Sequence, residues 1–195
     1  SLHFEQLFSS IKFFGFNNLE HKHISYGTLN DSDGNPFKTR DGGTKPLSEL
    51  FQETYEYIKK FNNLLDESII SQLTNSVLTY SDLITNRKTD YKFDLEKFTN
   101  VNGKTGIYVQ YSQVRARKLL ENIEIKNNMV NHLNLNKIDK ELLSKLYLFS
   151  YFVEQSALLN EPHHLANYLY EISNLFNQFY ESEKISEIDE LDYLS

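Results

Sequence analysis

Two cations and a hydroxyl group lie close together in a short segment of the chain. Lys38, Thr39 and Arg40 stand between a proline on one side and the glycines Gly42 and Gly43 on the other. Mobile cations can follow negative charge as it develops on a polyphosphate, and glycines let the backbone approach phosphate oxygens. The segment therefore predicts a phosphate-binding loop. A solvated basic loop is the alternative, and the Walker order, in which Lys directly follows Gly, is absent.

A second chemical pattern lies on the helix that is predicted to follow residue 106. At about 100° per residue, Tyr111, Arg115 and Lys118 fall on one face of that helix. An aromatic ring beside two cations suits an unpaired RNA base and its phosphates. An ordinary helix, with Tyr111 packed on a neighbour and Arg115 in solvent, explains the same pattern.

Histidine and carboxylate side chains are the only candidates for metal ligation, because the chain has no cysteine. His163 and His164 are adjacent, and no second histidine or carboxylate stands at the spacing of a zinc motif. The sequence therefore predicts no metal site. His3, at the start of the first predicted helix, is a candidate contact in an active site or a structural residue.

Helices dominate the elements that must position these residues. Apolar spacing predicts a first helix that stops at Gly15, and a strand over His23–Leu29 leads through an Asp-Gly turn into the basic loop. A loop is predicted at 102–106, and later apolar positions predict one helix across 142–158 and a last helix opened by Pro162. The apolar stripe of that last helix is expected to form core: Leu165, Tyr168, Leu169, Ile172, Leu175, Phe176 and Phe179.

Composition limits the classes of function. The chain has 195 residues and a formal net charge of −7, so contact with a polyanion requires a local basic face. It has no apolar run near the ~18 residues of a membrane span, and its first residues lack the pattern of a signal peptide. A cytoplasmic protein is expected.

Three separated motifs resemble one family. Residues 33–43 resemble the KMSKS-type signature of class I aminoacyl-tRNA synthetases in its arginyl form, and residues 19–28 are similar to the strand that leads into it. Residues 82–94 and 108–111, with Arg115, resemble the segment that joins the catalytic and anticodon domains. Residues 161–171 and 176–180 are similar to the hallmark of the anticodon domain. By this resemblance the chain is identified as a member of the arginyl-tRNA synthetase family.

The resemblance implies a mainly α fold. A helical-bundle anticodon-binding domain would be preceded by a remnant (helix, strand and loop) of a Rossmann-like class I catalytic domain. The expected parts are the end of the catalytic domain at 1–45, connecting helices at 46–106, and an anticodon-binding domain at 107–195 that continues beyond this sequence.

The resemblance also implies arginine-tRNA ligase activity in the parent enzyme, with ATP as cofactor, Mg²⁺ as its counter-ion, and arginine activation that depends on bound tRNA(Arg). Lys38 and Arg40 would be catalytic, and the ATP-binding residues would be His3, His23, Phe37, Lys38, Thr39 and Arg40. Tyr111, Arg115 and Lys118 would contact tRNA. A monomer without membrane contact is expected, and this portion alone should be inactive. A stand-alone, non-catalytic tRNA-binding module and a helical protein-interaction domain are the alternatives.

Overall fold

The computed structural model describes residues 2–30, 46–61, 65–121 and 135–182. These ranges contain eight helices and a two-stranded sheet, which confirms the prediction of a mainly α fold. No helix within them combines the length and the apolar character that crossing a bilayer requires. The elements in chain order are α1 Leu2–Phe13, β1 Leu29–Asn30, α2 Leu47–Phe61, α3 Glu67–Ile84, β2 Tyr91–Lys92, α4 Leu95–Thr99, α5 Gly106–Glu121, α6 Lys137–Tyr147, α7 Phe149–Leu159 and α8 His163–Ser182.

Helix α3 lies at the centre of the described fold and packs against α2, α4, α5 and α8. Its Ile70 and Val77 are 1% and 0% exposed, and they form one apolar cluster with Ile58 of α2 and Phe98 of α4. The apolar residues recur at helical spacing, so a single stripe of α3 reaches this cluster. The central position of α3 connects the first half of the chain to the last helices.

Helix α8 is the second organising element, because α3, α5, α6 and α7 all pack against it. Tyr168 is 1% exposed, its ring lies 4.6 Å from that of Phe152 on α7, and its hydroxyl donates to the Lys145 carbonyl at the end of α6 at 3.0 Å. On another side, the Tyr80 hydroxyl of α3 donates to the Ala166 carbonyl at 2.9 Å. Since four helices pack on α8, its position depends on all of them.

The two strands are parallel and short, with Leu29 opposite Tyr91 and Asn30 opposite Lys92. Of the strand predicted at His23–Leu29, only the last residue, Leu29, lies in a strand in the structure. The reason lies in the preceding residues, since the Gly27 amide donates to the Arg87 carbonyl and the Thr28 amide donates to the Asp90 carboxylate at 2.6 Å. Contacts to a turn replace the regular ladder there.

Two helix boundaries also differ from the prediction. The helix expected across 142–158 is divided at Leu148, whose amide donates to the Lys145 carbonyl at 3.1 Å and closes α6 before α7 begins. Gly106 was expected in a loop and is the first residue of α5. The Thr105 hydroxyl accepts a hydrogen bond from the Tyr108 amide at 3.2 Å, so Thr105 caps this helix.

The expected core stripe of α8 is only partly buried. Tyr168 is buried as predicted, whereas Leu169 is 39% exposed and the polar residues Ser173 and Asn177 are buried. Helices pack on several sides of α8, and the side that meets α5 uses polar contacts. A pattern of one apolar face does not describe such a helix.

Candidate functional site

The predicted phosphate loop lies outside the described residues. Phe37, Lys38, Thr39 and Arg40 all fall in the gap between residues 30 and 46. What the structure describes is the stretch that enters the loop, which runs along residues 25–30 and ends in β1. The roles of these four residues stay predictions.

The two predicted ATP-binding histidines both lie against the ring of one phenylalanine. The ring of His23 lies 4.1 Å from the ring of Phe4 on α1, and His3 meets the same ring edge-on at 5.7 Å. A cavity of about 490 Å³ lies between Phe4 and Phe8 of α1 and residues 22–26. Its aromatic walls can hold a planar heteroaromatic group. His23 lines this cavity, while His3 is exposed on α1.

Arg115 lies between two tyrosine rings in the contact of α5 with α8. Its guanidinium carbon is 4.4 Å from the centre of the Tyr111 ring and 4.9 Å from that of Tyr180. One guanidinium nitrogen donates to the Asn177 side-chain oxygen at 3.1 Å and to the Glu181 carboxylate at 3.5 Å. Arg115 is therefore held in a fixed orientation by groups of both helices.

The other two predicted tRNA contacts are open to solvent. Tyr111 is 46% exposed, and Lys118 lies on the exposed side of α5 one turn beyond Arg115. The Arg115 side chain is 25% exposed and its partner Glu181 is 70% exposed, so an incoming phosphate can compete for this ion pair. The structure brings Tyr111 and Arg115 together, with Lys118 near them in sequence, and the binding of RNA by these residues stays a prediction.

A buried network of hydrogen bonds between α5 and α8 holds Arg115 in place. Asn177 is 6% exposed, and its amide nitrogen donates to the Ser112 hydroxyl at 2.8 Å while its oxygen accepts from Arg115. The Ser112 hydroxyl in turn donates to the Tyr108 carbonyl at 2.9 Å. Sequence reasoning missed Asn177, although an asparagine inside an apolar helical pattern is a signal for a polar contact across helices.

A second group of charges lies where the α7–α8 turn meets the segment after α3. Glu161 accepts from Lys88 at 2.8 Å, and Arg87 and His164 lie 3.9 Å and 3.4 Å from its carboxylate oxygens. The hydrogen bond from Lys88 holds the pKa of Glu161 below its ordinary value. Burial, the neighbouring His164 and the two nearby cations outweigh the attraction of Glu161 and lower the pKa of His163, which favours its neutral form.

Within the described residues, one group of side chains could in principle hold a metal ion. The ligand atoms of Glu161, His163 and His164 lie within 4.8 Å of one another. These residues fit a cation poorly, because Lys88 and Arg87 already neutralise the carboxylate and would repel a divalent ion. The absence of a bound metal stays a prediction.

Two family models match the chain in succession. Residues 1–95 match the catalytic domain of class I tRNA synthetases of the arginyl type, and residues 109–193 match the DALR anticodon binding domain. The first match contains the His23 cavity and the loop motif, and the second contains Tyr111 and Arg115. The boundaries predicted at residues 45 and 106 remain predictions.

Similar proteins and structures agree with these matches. Arginine–tRNA ligase of Francisella tularensis subsp. novicida is 36% identical over 201 residues, which cover 97% of this chain and 35% of the relative. The corresponding protein of Agathobacter rectalis is 34% identical, and the matched region covers 95% of this chain and 34% of that protein. The chain thus spans about a third of the length of these relatives.

Among solved structures, arginyl-tRNA synthetase of Plasmodium falciparum superimposes with a TM-score of 0.74 and 25% identity, over 96% of this chain and 33% of that one. The enzyme of Thermus thermophilus shares the fold. Its TM-score is 0.69 at 22% identity, over 81% of this chain and 27% of that one. A catalytic-domain match and an anticodon-domain match follow each other in one helical chain, and the chain therefore belongs to the arginyl-tRNA synthetase family.

Proposed function

We propose that the chain is part of an arginine–tRNA ligase and supplies its triphosphate-stabilising loop and its anticodon-binding domain. The observation that carries the proposal is the presence of both domain matches in one chain. The match to the catalytic domain comes first and the match to the anticodon-binding domain follows it. A tRNA-binding module without catalysis has no use for a triphosphate loop, so the retained motif at 36–43 favours the enzyme.

The proposed reaction has two steps. The arginine carboxylate attacks the α-phosphorus of ATP, the bond to the β-phosphate oxygen breaks, and arginyl-adenylate and pyrophosphate form. A terminal ribose hydroxyl of tRNA(Arg) then attacks the activated carbonyl, and AMP leaves. Negative charge grows on the departing pyrophosphate in the first step, and Lys38 and Arg40 are proposed to stabilise it. Mg²⁺ bound to the triphosphate would supply further positive charge when present.

The cavity beside His23 supports a site for the nucleoside end of ATP. Its walls are the rings of Phe4 and Phe8, and it lies along the stretch that leads into the phosphate loop. An aromatic cleft suits the flat adenine ring, and a loop nearby in sequence suits the triphosphate. In this proposal His23 and His3 contact the nucleotide, together with Phe37 and Thr39 of the loop.

Aminoacylation tests the proposed function directly. The parent protein is incubated with total tRNA, ATP and each of a panel of labelled amino acids, and charging with arginine alone is expected. The double variant Lys38→Ala, Arg40→Ala should lose about 10²-fold or more in the rate of charging, because cations that stabilise transition-state charge have effects of this size. Lys60→Ala, an exposed lysine of α2, is the matched control and should charge normally.

The outcomes separate the alternatives. Binding of tRNA without charging by a folded protein would leave a non-catalytic tRNA-binding module. Failure to bind any tRNA at low salt, where phosphate contacts are strongest, would leave a protein-interaction domain.

We further propose that tRNA docks on the face formed by Tyr111, Arg115 and Lys118. Tyr111→Ala should weaken tRNA binding by about 1–3 kcal/mol through lost stacking, whereas Tyr111→Phe, which keeps the ring, should not. Lys118→Ala should lower the slope of log affinity against log salt by about 1, as expected for one lost phosphate contact. Unchanged affinity in both alanine variants would exclude this face.

The cellular setting follows from the same proposal. Charging of tRNA takes place where the translation machinery is located, so a cytoplasmic enzyme is expected. We also propose a monomer, and light scattering of the parent protein at micromolar concentration tests this.

A further inference from the structure

Arg87 connects two distant segments of the chain through a single side chain. Its Nε atom donates to the Asn160 carbonyl at 2.7 Å, and one terminal nitrogen donates to the Ser25 carbonyl. The other terminal nitrogen lies 3.9 Å from the Glu161 carboxylate. The side chain is only 17% exposed, so these acceptors replace much of its water. A rigid, planar guanidinium can hold three such partners in a fixed relative position.

One of the two segments leads into the predicted phosphate loop. Beyond Ser25, the Gly27 amide donates to the backbone carbonyl of Arg87, and the Thr28 amide donates to the Asp90 carboxylate. A Cβ atom at Gly27 would lie 2.4 Å from the Thr89 carbonyl oxygen, which shows how closely the two backbones approach. The stretch from Ser25 to β1 is therefore fixed on the segment that carries Arg87.

The other segment is the turn at which α8 begins. Asn160 has a left-handed conformation with φ of 53° and ends α7, and this conformation directs its carbonyl to Arg87. Glu161 follows and is fixed by Lys88. Helix α8 then runs for 20 residues to the partners of Arg115, which are Asn177, Tyr180 and Glu181. One rigid helix thus joins the Arg87 contacts to the proposed tRNA face.

We propose that Arg87 is a positioning residue that couples tRNA binding at the α5–α8 face to the placement of residues 25–30, which lead into the predicted phosphate loop. This inference rests on the proposed function. A shift or rotation of α8 when tRNA binds moves the Asn160 carbonyl and the Glu161 carboxylate. Arg87 transmits that movement to the Ser25 carbonyl and hence to the entrance of the loop. Such coupling has a free energy, which can be measured as the change that binding at one site causes at the other.

Substitution by lysine provides the sharpest test. Lysine keeps the positive charge beside Glu161, but its single ammonium group cannot reproduce the fork that reaches Ser25 and Asn160 together. Arg117 is exposed on α5, and of the arginines in the described ranges it alone has no proposed role. Arg117→Lys is therefore the matched control. Arg87→Ala removes the charge as well.

Three quantities are measured on the parent enzyme and its variants. They are the dissociation constant for tRNA from filter binding, the melting temperature, and the rate of arginine-dependent exchange of pyrophosphate into ATP at a series of tRNA concentrations. In Arg87→Lys the dissociation constant and the melting temperature should stay close to wild type. The stimulation of exchange by saturating tRNA should fall by about 5- to 150-fold, the usual range of coupling between sites.

A merely structural role predicts a different result. It would lower exchange only in proportion to the loss of folded protein or to the loss of tRNA affinity. Either of these results overturns the proposal. Stimulation by tRNA at the wild-type level in Arg87→Lys overturns it as well. If Arg87→Ala does not fold, the lysine variant still decides. Absence of arginine charging by the wild-type enzyme would overturn the proposed function together with this inference, whereas normal charging with unaltered coupling in the variant overturns the inference alone.

Discussion

Replacing Gly106 with alanine should destabilise the protein, although alanine normally favours helices over glycine. Gly106 is buried at the first position of α5, where it faces α3. An added Cβ atom would lie 2.4 Å from the Ser76 carbonyl oxygen, and ordinary contact begins at 3.4 Å. The two helices would have to separate by the difference of about 1 Å, because a backbone carbonyl cannot rotate away as a side chain can.

The expected cost follows from the position of α3. This helix carries Ile70 and Val77 in the centre of the core, so a displacement of α3 loosens that cluster. Crowding of this kind in a packed interior costs about 1–3 kcal/mol, and the gain in helix propensity offsets at most about 1 kcal/mol. We expect the free energy of unfolding to fall by about 1–2 kcal/mol, or about 2–4 °C in melting temperature for each kcal/mol.

Denaturant unfolding of Gly106→Ala measures this change, and a second substitution identifies its cause. Ser76→Ala removes the hydroxyl that would lie 2.7 Å from the new Cβ atom but leaves the carbonyl at 2.4 Å. The double variant should therefore be as unstable as the sum of the two single variants. Recovery in the double variant would attribute the clash to the side chain, and a Gly106→Ala protein as stable as wild type would refute the reasoning altogether.

Three further predictions concern polar side chains that connect separate parts of the fold. Tyr80→Phe should lose about 1 kcal/mol with its hydrogen bond to α8. Burial also raises the pKa of Tyr80, so the wild-type free energy of unfolding should fall as pH rises above about 10, where unfolded tyrosine ionises; a pH series of denaturant melts should show a weaker fall in the Phe variant. Asn177→Ala should cost about 1–3 kcal/mol, since it removes a buried partner of Ser112 and Arg115; a smaller loss in the same assay would mean that water replaces the amide. Lys88 lowers the pKa of Glu161, so this carboxylate stabilises the fold at neutral pH and that contribution is lost as pH falls below about 4.5; Glu161→Gln should flatten the acid side of the profile, and an unchanged profile would contradict the role of the pair.

Elements with a long, regular apolar pattern could be predicted from the sequence. Helix α3, at Glu67–Ile84, falls within the range 46–106 for which connecting helices were predicted, and Gly15 follows the end of α1 with a positive φ of 86°. Helical periodicity and a glycine at a helix end are local properties, so they survive in the folded chain. The division at Leu148 was missed because apolar residues continue across it and no proline or glycine marks it.

The geometry of the candidate site could be predicted only in part. The sequence placed Tyr111 and Arg115 on one face, since both lie on the same helix. It could not predict that Arg115 contacts Asn177 and Glu181, which lie 62 and 66 residues further along the chain. The role of Arg87 was hidden for the same reason, because its partners come from residues 25 and 160. Contacts across such separations depend on packing that one sequence does not reveal.

The long sequence separations at Arg87 have a consequence for the order of folding. Its contacts close loops of 62 and 73 residues, whereas the contacts within the α7–α8 hairpin are local. Closing long loops costs more chain entropy, so the hairpin should form early and the Arg87 contacts late. Late contacts are also the first to open in the native state. The amides of Gly27 and Thr28 should therefore exchange with deuterium before those in the middle of α8, and the connection between the two domains should open without unfolding either.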